Sequence, residues 1–307
     1  MRSIAAFFKL VRWQNLLFIV LTQLLFYFCV FVPLYKPTVA PVRLAWLILA
    51  SVFIAAAGYV INDYFDLNID QVNKPNKNVI NRIIPRRWAI FWHGFLSLLG
   101  LLATVYAVGF HKSYLILANA VVIVLLWFYS TSLKKKMLIG NILISALTAW
   151  TILILFFAQV SFRAAFGVVQ DAVTTKFFRV AFLYAGFAFV LSLIREAVKD
   201  VEDMEGDRRY GCRTLPIVSG LVATKVYTTV WIVVLLGALI VLQLYILQFR
   251  WWAAVIYSVS CVIFPLIILF FSHLKARSTS DFSSLSRLAK WIMLAGIGSM
   301  LFFRLYF

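Results

Sequence analysis

Eleven Asp and Glu residues occur in a chain of 307, and nine of them fall in two short segments. The first segment reads Asn62-Asp63-Tyr64-Phe65-Asp66-Leu67-Asn68-Ile69-Asp70, and the second carries Glu196, Asp200, Glu202, Asp203, Glu205 and Asp207. On a helix that continues through the first segment, Asn62, Asp66 and Asp70 stand at i, i+4 and i+8. Four residues advance the wheel by only about 40°, so the three oxygen donors share a stripe. With Glu196 as origin and about 100° per residue, Asp200, Asp203 and Asp207 fall within about 40° of it, whereas Glu202 and Glu205 fall on the far side. Carboxylates stacked in this way repel one another. They need a compensating cation, either Lys and Arg side chains or a divalent metal. Paired hard oxygen donors shared with substrate phosphates are the usual setting of Mg²⁺. A lone acidic patch at a helix end reads as a solvated face. Two aligned patches holding nearly all the acid in a chain this apolar do not.

Bases surround these acids. Asn73, Lys74, Lys77, Arg82, Arg86 and Arg87 follow the first segment, Tyr129-Ser130-Thr131-Ser132-Leu133-Lys134-Lys135-Lys136 lies between the two, and Arg195, Lys199, Arg208, Arg209 and Arg213 flank the second. Metal-binding acids among Lys and Arg suit a polyanion such as a diphosphate, and Lys77, Arg82, Lys134 and Lys199 are the strongest candidates to contact it. No P-loop or Rossmann glycine pattern occurs, which points away from a nucleotide and toward a diphosphate on something apolar. His93, His111 and His273 are isolated and read as packing or interfacial residues. Cys29, Cys212 and Cys261 are odd in number and far apart, so neither a disulfide framework nor a zinc site is indicated, and they read as inert.

The elements that must position these groups are membrane helices. Apolar residues make up 64% of the chain and charged ones 13%, and mean hydropathy is +0.96. A soluble domain averages roughly 45–50% apolar and about 25% charged, so the composition excludes a soluble globular protein. Long apolar runs give nine candidate spans, at about 15–35, 43–63, 88–109, 114–131, 138–158, 180–200, 222–248, 251–271 and 289–306. The expected fold is an all-α polytopic bundle around a central cavity, a single membrane domain over 1–307. The run after Arg2, Lys9 and Arg12 is too long for a signal-peptide core and reads as a retained first span. Residues 159–179 read as a longer connection on the far side, with room for a short interfacial helix.

Lys and Arg number 21 on the N-terminal side of the spans and eight on the other. This split places the N-terminus and both acidic segments in the cytoplasm and the C-terminus outside. Since the bases lie between apolar runs rather than along one face, the formal charge of +18 implies contact with membrane lipids and not with nucleic acid. Among the 52 aromatic residues, Tyr64, Phe65 and Tyr129 lie near the acids and are candidates for the cavity wall, where ring faces stabilise a carbocation.

These motifs resemble those of the UbiA superfamily of intramembrane prenyltransferases. Its N-D-x-x-D-x-x-x-D motif is complete as Asn62, Asp63, Asp66 and Asp70, and its D-x-x-x-D region is matched by Asp203 and Asp207, followed by Gly211, Arg213 and Thr214. The likeness covers nearly the whole chain. It implies Mg²⁺-dependent transfer of an isoprenyl group from its diphosphate to a hydrophobic or lipid acceptor. Asn62, Asp66, Asp70, Asp203 and Asp207 would hold metal and diphosphate, and Asp63 and Asp200 would support them. The family's Y-x-x-x-K element, through which the resemblance makes Tyr129 and Lys134 diphosphate contacts, is altered, because Lys134 follows Tyr129 by five residues with Leu133 at the fourth. The stretch from Lys199 to Asp207 is most similar to the branch that acts on geranylgeranylglycerol phosphate, while other branches use aromatic acceptors such as 4-hydroxybenzoate. The rival reading is a cation transporter or channel, which would spread its acids through the depth of the membrane.

Overall fold

A computed structural model describes residues 2–34, 40–73, 80, 84–161, 163 and 171–306, without the side chains of Arg2 and Ser3. Among the described residues, nine helices are long and apolar enough to cross a membrane: Trp13–Leu34, Pro41–Phe65, Arg86–Val108, Phe110–Thr131, Ile139–Gln159, Ala172–Glu202, Leu215–Leu247, Trp252–Lys275 and Thr279–Tyr306. They are called spans one to nine. A short helix, Arg2–Leu10, precedes them, and two others, Leu67–Asn73 and Met204–Arg209, follow spans two and six. The chain is an integral, multi-pass helical membrane protein.

Span two packs most extensively on span three, and span six on spans five, nine and seven. Spans two and six thus form the inner frame of the bundle, and both end in acidic segments. Buried Phe26, Phe31, Phe156 and Phe177 anchor a core between spans one, two, five and six, while Ile194, Ile232, Leu266, Phe282 and Ile292 anchor another between spans six to nine.

Spans six and nine start well ahead of their apolar runs, at polar caps, whereas span seven starts early at Leu215 with a proline in its first turn. Span six begins at Ala172, within the segment expected to be a connection, because the Asp171 carboxylate accepts the Thr174 N–H at 2.7 Å and the Thr174 hydroxyl at 2.6 Å. These bonds hold the Asp171 carboxyl below the usual carboxylate range. Span nine begins at Thr279, where Ser278 and Asp281 form a reciprocal capping box. The two acids outside the clusters are therefore helix caps. Spans one and eight each contain a widened π-helical turn, Phe26–Phe31 and Val259–Ile263, just ahead of Pro33 and Pro265. In each, the residue before the proline donates its N–H five residues back, to Tyr27 O or Val259 O. A widened turn there accommodates the donor that proline lacks and the bulk of its ring.

Candidate active site

Spans two and six end in the same way. The helix of span two stops at Phe65, Asp66 sits at the joint with φ −86° and ψ 1°, and the chain continues as Leu67–Asn73. Span six stops at Glu202, Asp203 sits at the joint with φ −94° and ψ 4°, and Met204–Arg209 follows. Backbone bonds carry the helical register across both joints, from Asp70 N to Asp66 O at 2.8 Å and from Asp207 N to Asp203 O at 3.2 Å. The expected stripes therefore survive a bend at Asp66 in the first and at Asp203 in the second.

The two short helices pack on each other. Asn73 fastens them: its amide Nδ2 donates to Asp203 O at 2.9 Å, and its Oδ1 accepts the Gly206 N–H at 2.8 Å. A side chain at residue 206 would collide with this amide, so glycine is required by close approach. Asn73 was legible in the sequence only as one polar residue of a basic loop, since a contact across the chain leaves no local signal.

A third loop closes over the same place. The helix of span four ends at Thr131, and a tight turn over Leu133–Lys135 follows. This turn absorbs the extra residue between Tyr129 and Lys134. It aims the Lys134 ammonium at Asp66, with which it forms an ion pair, and toward Asn62 Oδ1 at 3.4 Å. Gly140 makes the fold-back possible, because a Cβ there would lie 2.8 Å from the Lys134 Cα. Arg213 N donates to Lys135 O at 2.7 Å and ties the turn to the segment after Asp207.

These loops roof a cavity of about 630 Å³ that reaches into the bundle. Its wall includes Asn62, Asp63, Asp66, Asp70, Asp200, Asp203 and Asp207, together with Tyr129, Lys134 and Lys199. Glu202 and Glu205 do not line it, as the wheel predicts. Asn62 Nδ2 donates to Asp66 Oδ2 at 2.8 Å, Arg12 pairs with Asp63 at 2.7 Å, and Asn141 Nδ2 donates to Asp200 Oδ2 at 2.8 Å. Lys199 is bonded to Glu196 at 3.2 Å, which Arg195 also contacts at 2.9 Å. Although burial works against its charge, Asp63 and the other acids nearby hold the Arg12 guanidinium above its ordinary pKa.

Tyr129 lines the cavity, but Tyr64 and Phe65 do not: Tyr64 lies under the Arg86 guanidinium at 4.6 Å, and Phe65 packs edge-on against Trp127. Deeper aromatic walls come from Phe18, Tyr59, Trp150, Tyr184 and Phe187, on spans whose facing sides the sequence does not declare. Lys77 and Arg82 lie outside the described residues. Cys212 also lines the cavity, and burial pushes its thiol up to about 11, which keeps it protonated and unreactive at neutral pH. His93 and His273 point at backbone carbonyls, of Ala57 at 3.0 Å and of Lys225 at 3.3 Å, in packing roles.

Among the described residues no three His, Cys, Asp or Glu side chains converge into a ready-made metal cage. Oxygen donors arranged in pairs nevertheless suit Mg²⁺, which keeps several waters and shares one or two carboxylates with substrate phosphates. The Lys134 ammonium on Asp66 shows how the roof balances one of these charges from within the chain.

The UbiA prenyltransferase family matches residues 24–294. A digeranylgeranylglyceryl phosphate synthase of Methanospirillum hungatei is 30% identical over 267 residues, covering 86% of this chain and 86% of that protein. The enzyme of that name from Sulfurisphaera tokodaii is 26% identical across 99% of this chain and 98% of its own. In fold, the chain is similar to a solved digeranylgeranylglyceryl phosphate synthase, with a TM-score of 0.61 and 24% identity over 98% of this chain and 99% of that one. It is also similar to a UbiA homologue from Archaeoglobus fulgidus bound to GPP and Mg²⁺, with a TM-score of 0.60 and 15% identity over 96% and 99% of the two chains.

Proposed function

The chain belongs to the UbiA prenyltransferase family and is an intramembrane prenyltransferase, and we propose that it transfers a geranylgeranyl group from its diphosphate to geranylgeranylglycerol phosphate. The observation that carries this reading is the closure of two aspartate-bearing joints, from distant parts of the chain, over one cavity with a polar roof and an apolar interior. Relatives named for that activity support the choice of acceptor.

In this reading Asn62, Asp66, Asp70, Asp203 and Asp207, which line the cavity, would hold Mg²⁺, the metal that the Archaeoglobus fulgidus homologue binds together with GPP. When bound, the metal neutralises the leaving diphosphate. Lys134 and Lys199, both on the cavity wall, take up diphosphate charge, with Lys77 and Arg82 proposed as further contacts. Asp63 and Asp200, held by Arg12 and Asn141, keep the end of span two and the end of span six in place. The allylic C–O bond breaks with its electron pair leaving on the diphosphate. The acceptor hydroxyl oxygen then bonds to the allylic carbon, and its proton passes to the departing diphosphate. Ring faces of Tyr129 and Trp150 stabilise the positive carbon, and the apolar walls keep water from capturing it. Seven of the eleven acids line this one cavity, which fits a single anchored site and not a path through the membrane. The excess of Lys and Arg on one side of the spans sets the roof and the N-terminus in the cytoplasm and the C-terminus outside. Residues 1–307 act as one membrane domain.

The test is incubation of purified protein and Mg²⁺ with labelled geranylgeranyl diphosphate and a choice of acceptors. A labelled digeranylgeranylglycerol phosphate product is expected. Transfer to 4-hydroxybenzoate alone, or undiminished transfer in excess EDTA, contradicts the proposal.

A further inference from the structure

Away from the aspartate joints, a second group of polar side chains lines the same cavity where spans one, two, six and nine meet. Lys290 lies inside span nine, a costly place for a charge. Its ammonium bonds Asn15 Oδ1 at 2.8 Å and sits 5.0 Å from the Phe18 ring centre, and among the described residues it has no carboxylate partner. Asn15 is hydrogen-bonded with Tyr59, whose ring carries the Arg12 guanidinium at 5.1 Å. Arg195 is close enough to Lys290 for their charges to act on each other, and its buried Nε has no hydrogen-bond partner. The group is contiguous, and it is not balanced. Asp63 pairs with Arg12, Glu196 is shared between Arg195 and Lys199, and among the described residues no acid pairs with Lys290. With Lys199 turned to the joints, Arg12, Arg195 and Lys290 stand against Asp63 and Glu196, one positive charge in excess.

A cavity wall in a membrane retains such a surplus where an anion arrives to meet it. A diphosphate held at the joints has Lys134 and Lys199 there. Arg195 lies about 12 Å along span six from Asp203, at 1.5 Å per residue, beyond the acids and toward the bundle interior. We infer that Arg12, Arg195 and Lys290 form an acceptor-side anion subsite that takes a phosphomonoester. Such a group brings three oxygens and a charge of about −1.5 to −2 at neutral pH, enough to engage all three cations at once, where a carboxylate has only two oxygens. Arg12 and Arg195 supply planar forks for phosphate oxygens and Lys290 a point charge. The inference rests on the proposed transfer to a phosphorylated lipid and assigns residues to its recognition.

The experiment compares kcat/KM for geranylgeranylglycerol phosphate and for the same glycerol ether without its phosphate, in the wild type, Lys290→Gln, Lys290→Arg and Arg195→Gln. The variants are first checked for monodispersity and thermal unfolding in detergent. In wild type the phosphorylated acceptor is favoured. The ratio between the two acceptors is expected to fall at least tenfold in Lys290→Gln and in Arg195→Gln and to recover in Lys290→Arg, with the KM for geranylgeranyl diphosphate moving less than that for the acceptor. A ratio unchanged in both Gln variants, or a loss confined to the diphosphate KM, overturns the subsite. Should one Gln variant fail to fold, the other decides. Wild-type protein that transfers to neither glycerol ether but does use an aromatic acceptor instead overturns the proposed acceptor itself, a result the variants cannot imitate.

Discussion

The two acid-bearing joints share a backbone geometry and differ in the contact that fastens each to its neighbour. At both, a long span ends, an aspartate takes up the bend, and a short helix presents another aspartate four residues later. At the first joint the compensation is ionic: Lys134 reaches Asp66 from the loop after span four, and Asn62 donates to the same carboxylate. At the second the fastening contact is steric and made through the backbone: Gly206 lets Asn73 in, and Asn73 binds the Asp203 carbonyl. One joint is tuned and the other is docked. Donor residues alone do not make the site, because an arrangement that has to close two distant segments needs a latch as well as ligands.

The largest effect expected from breaking this pair is loss of an acid. Asp66→Ala and Asp203→Ala should each lower prenyl transfer by at least about 100-fold while the purified protein stays folded, because each removes charge stabilisation of the leaving group. Radiolabelled product formation, beside gel filtration, measures this. Lys134→Met follows. It leaves the Asp66 carboxylate without its ammonium and should cost on the order of 10-fold to 100-fold in kcat, with little change at the second joint.

The latch comes next and distinguishes the joints. Gly206→Ala and Asn73→Ala should each reduce kcat by about tenfold, and the double variant should be no worse than the weaker single one, since both remove the same contact. Additive losses would show that Asn73 acts elsewhere. The smallest effect concerns Cys212, beside the second joint. With its thiol pushed up to about 11, the thiolate fraction at pH 7 is about 1 in 10⁴. In a chain carrying Cys29→Ser and Cys261→Ser, maleimide labelling of Cys212 should therefore rise about tenfold per pH unit between pH 8 and 10. A rate already saturated at pH 8 would contradict a buried neutral thiol.

Much of this was legible in the sequence, for physical reasons. Hydropathy finds spans because crossing helices must be apolar, and the wheel finds the carboxylate stripe because Asp66 and Asp203 bend the helix without breaking its register. Local patterns failed where the cause is distant or polar. Spans six and nine begin in polar turns, capped by Asp171 and Ser278, that a hydropathy window discards. Asn73 and Gly206 matter to each other only in space. Tyr64 and Phe65 are neighbours of Asp63 and Asp66 in sequence, yet they turn away from the cavity, because successive helical residues point about 100° apart.

The central claim is that the two joints make one site. Calorimetric binding of Mg²⁺ and a non-hydrolysable geranylgeranyl diphosphate analogue to wild type, Asp66→Asn, Asp203→Asn and the double variant tests it directly. The account predicts that each single substitution weakens binding at least tenfold and that the double variant is far less impaired than the product of the two losses. Fully multiplicative losses, or binding untouched by Asp203→Asn, would mean that the segments act apart.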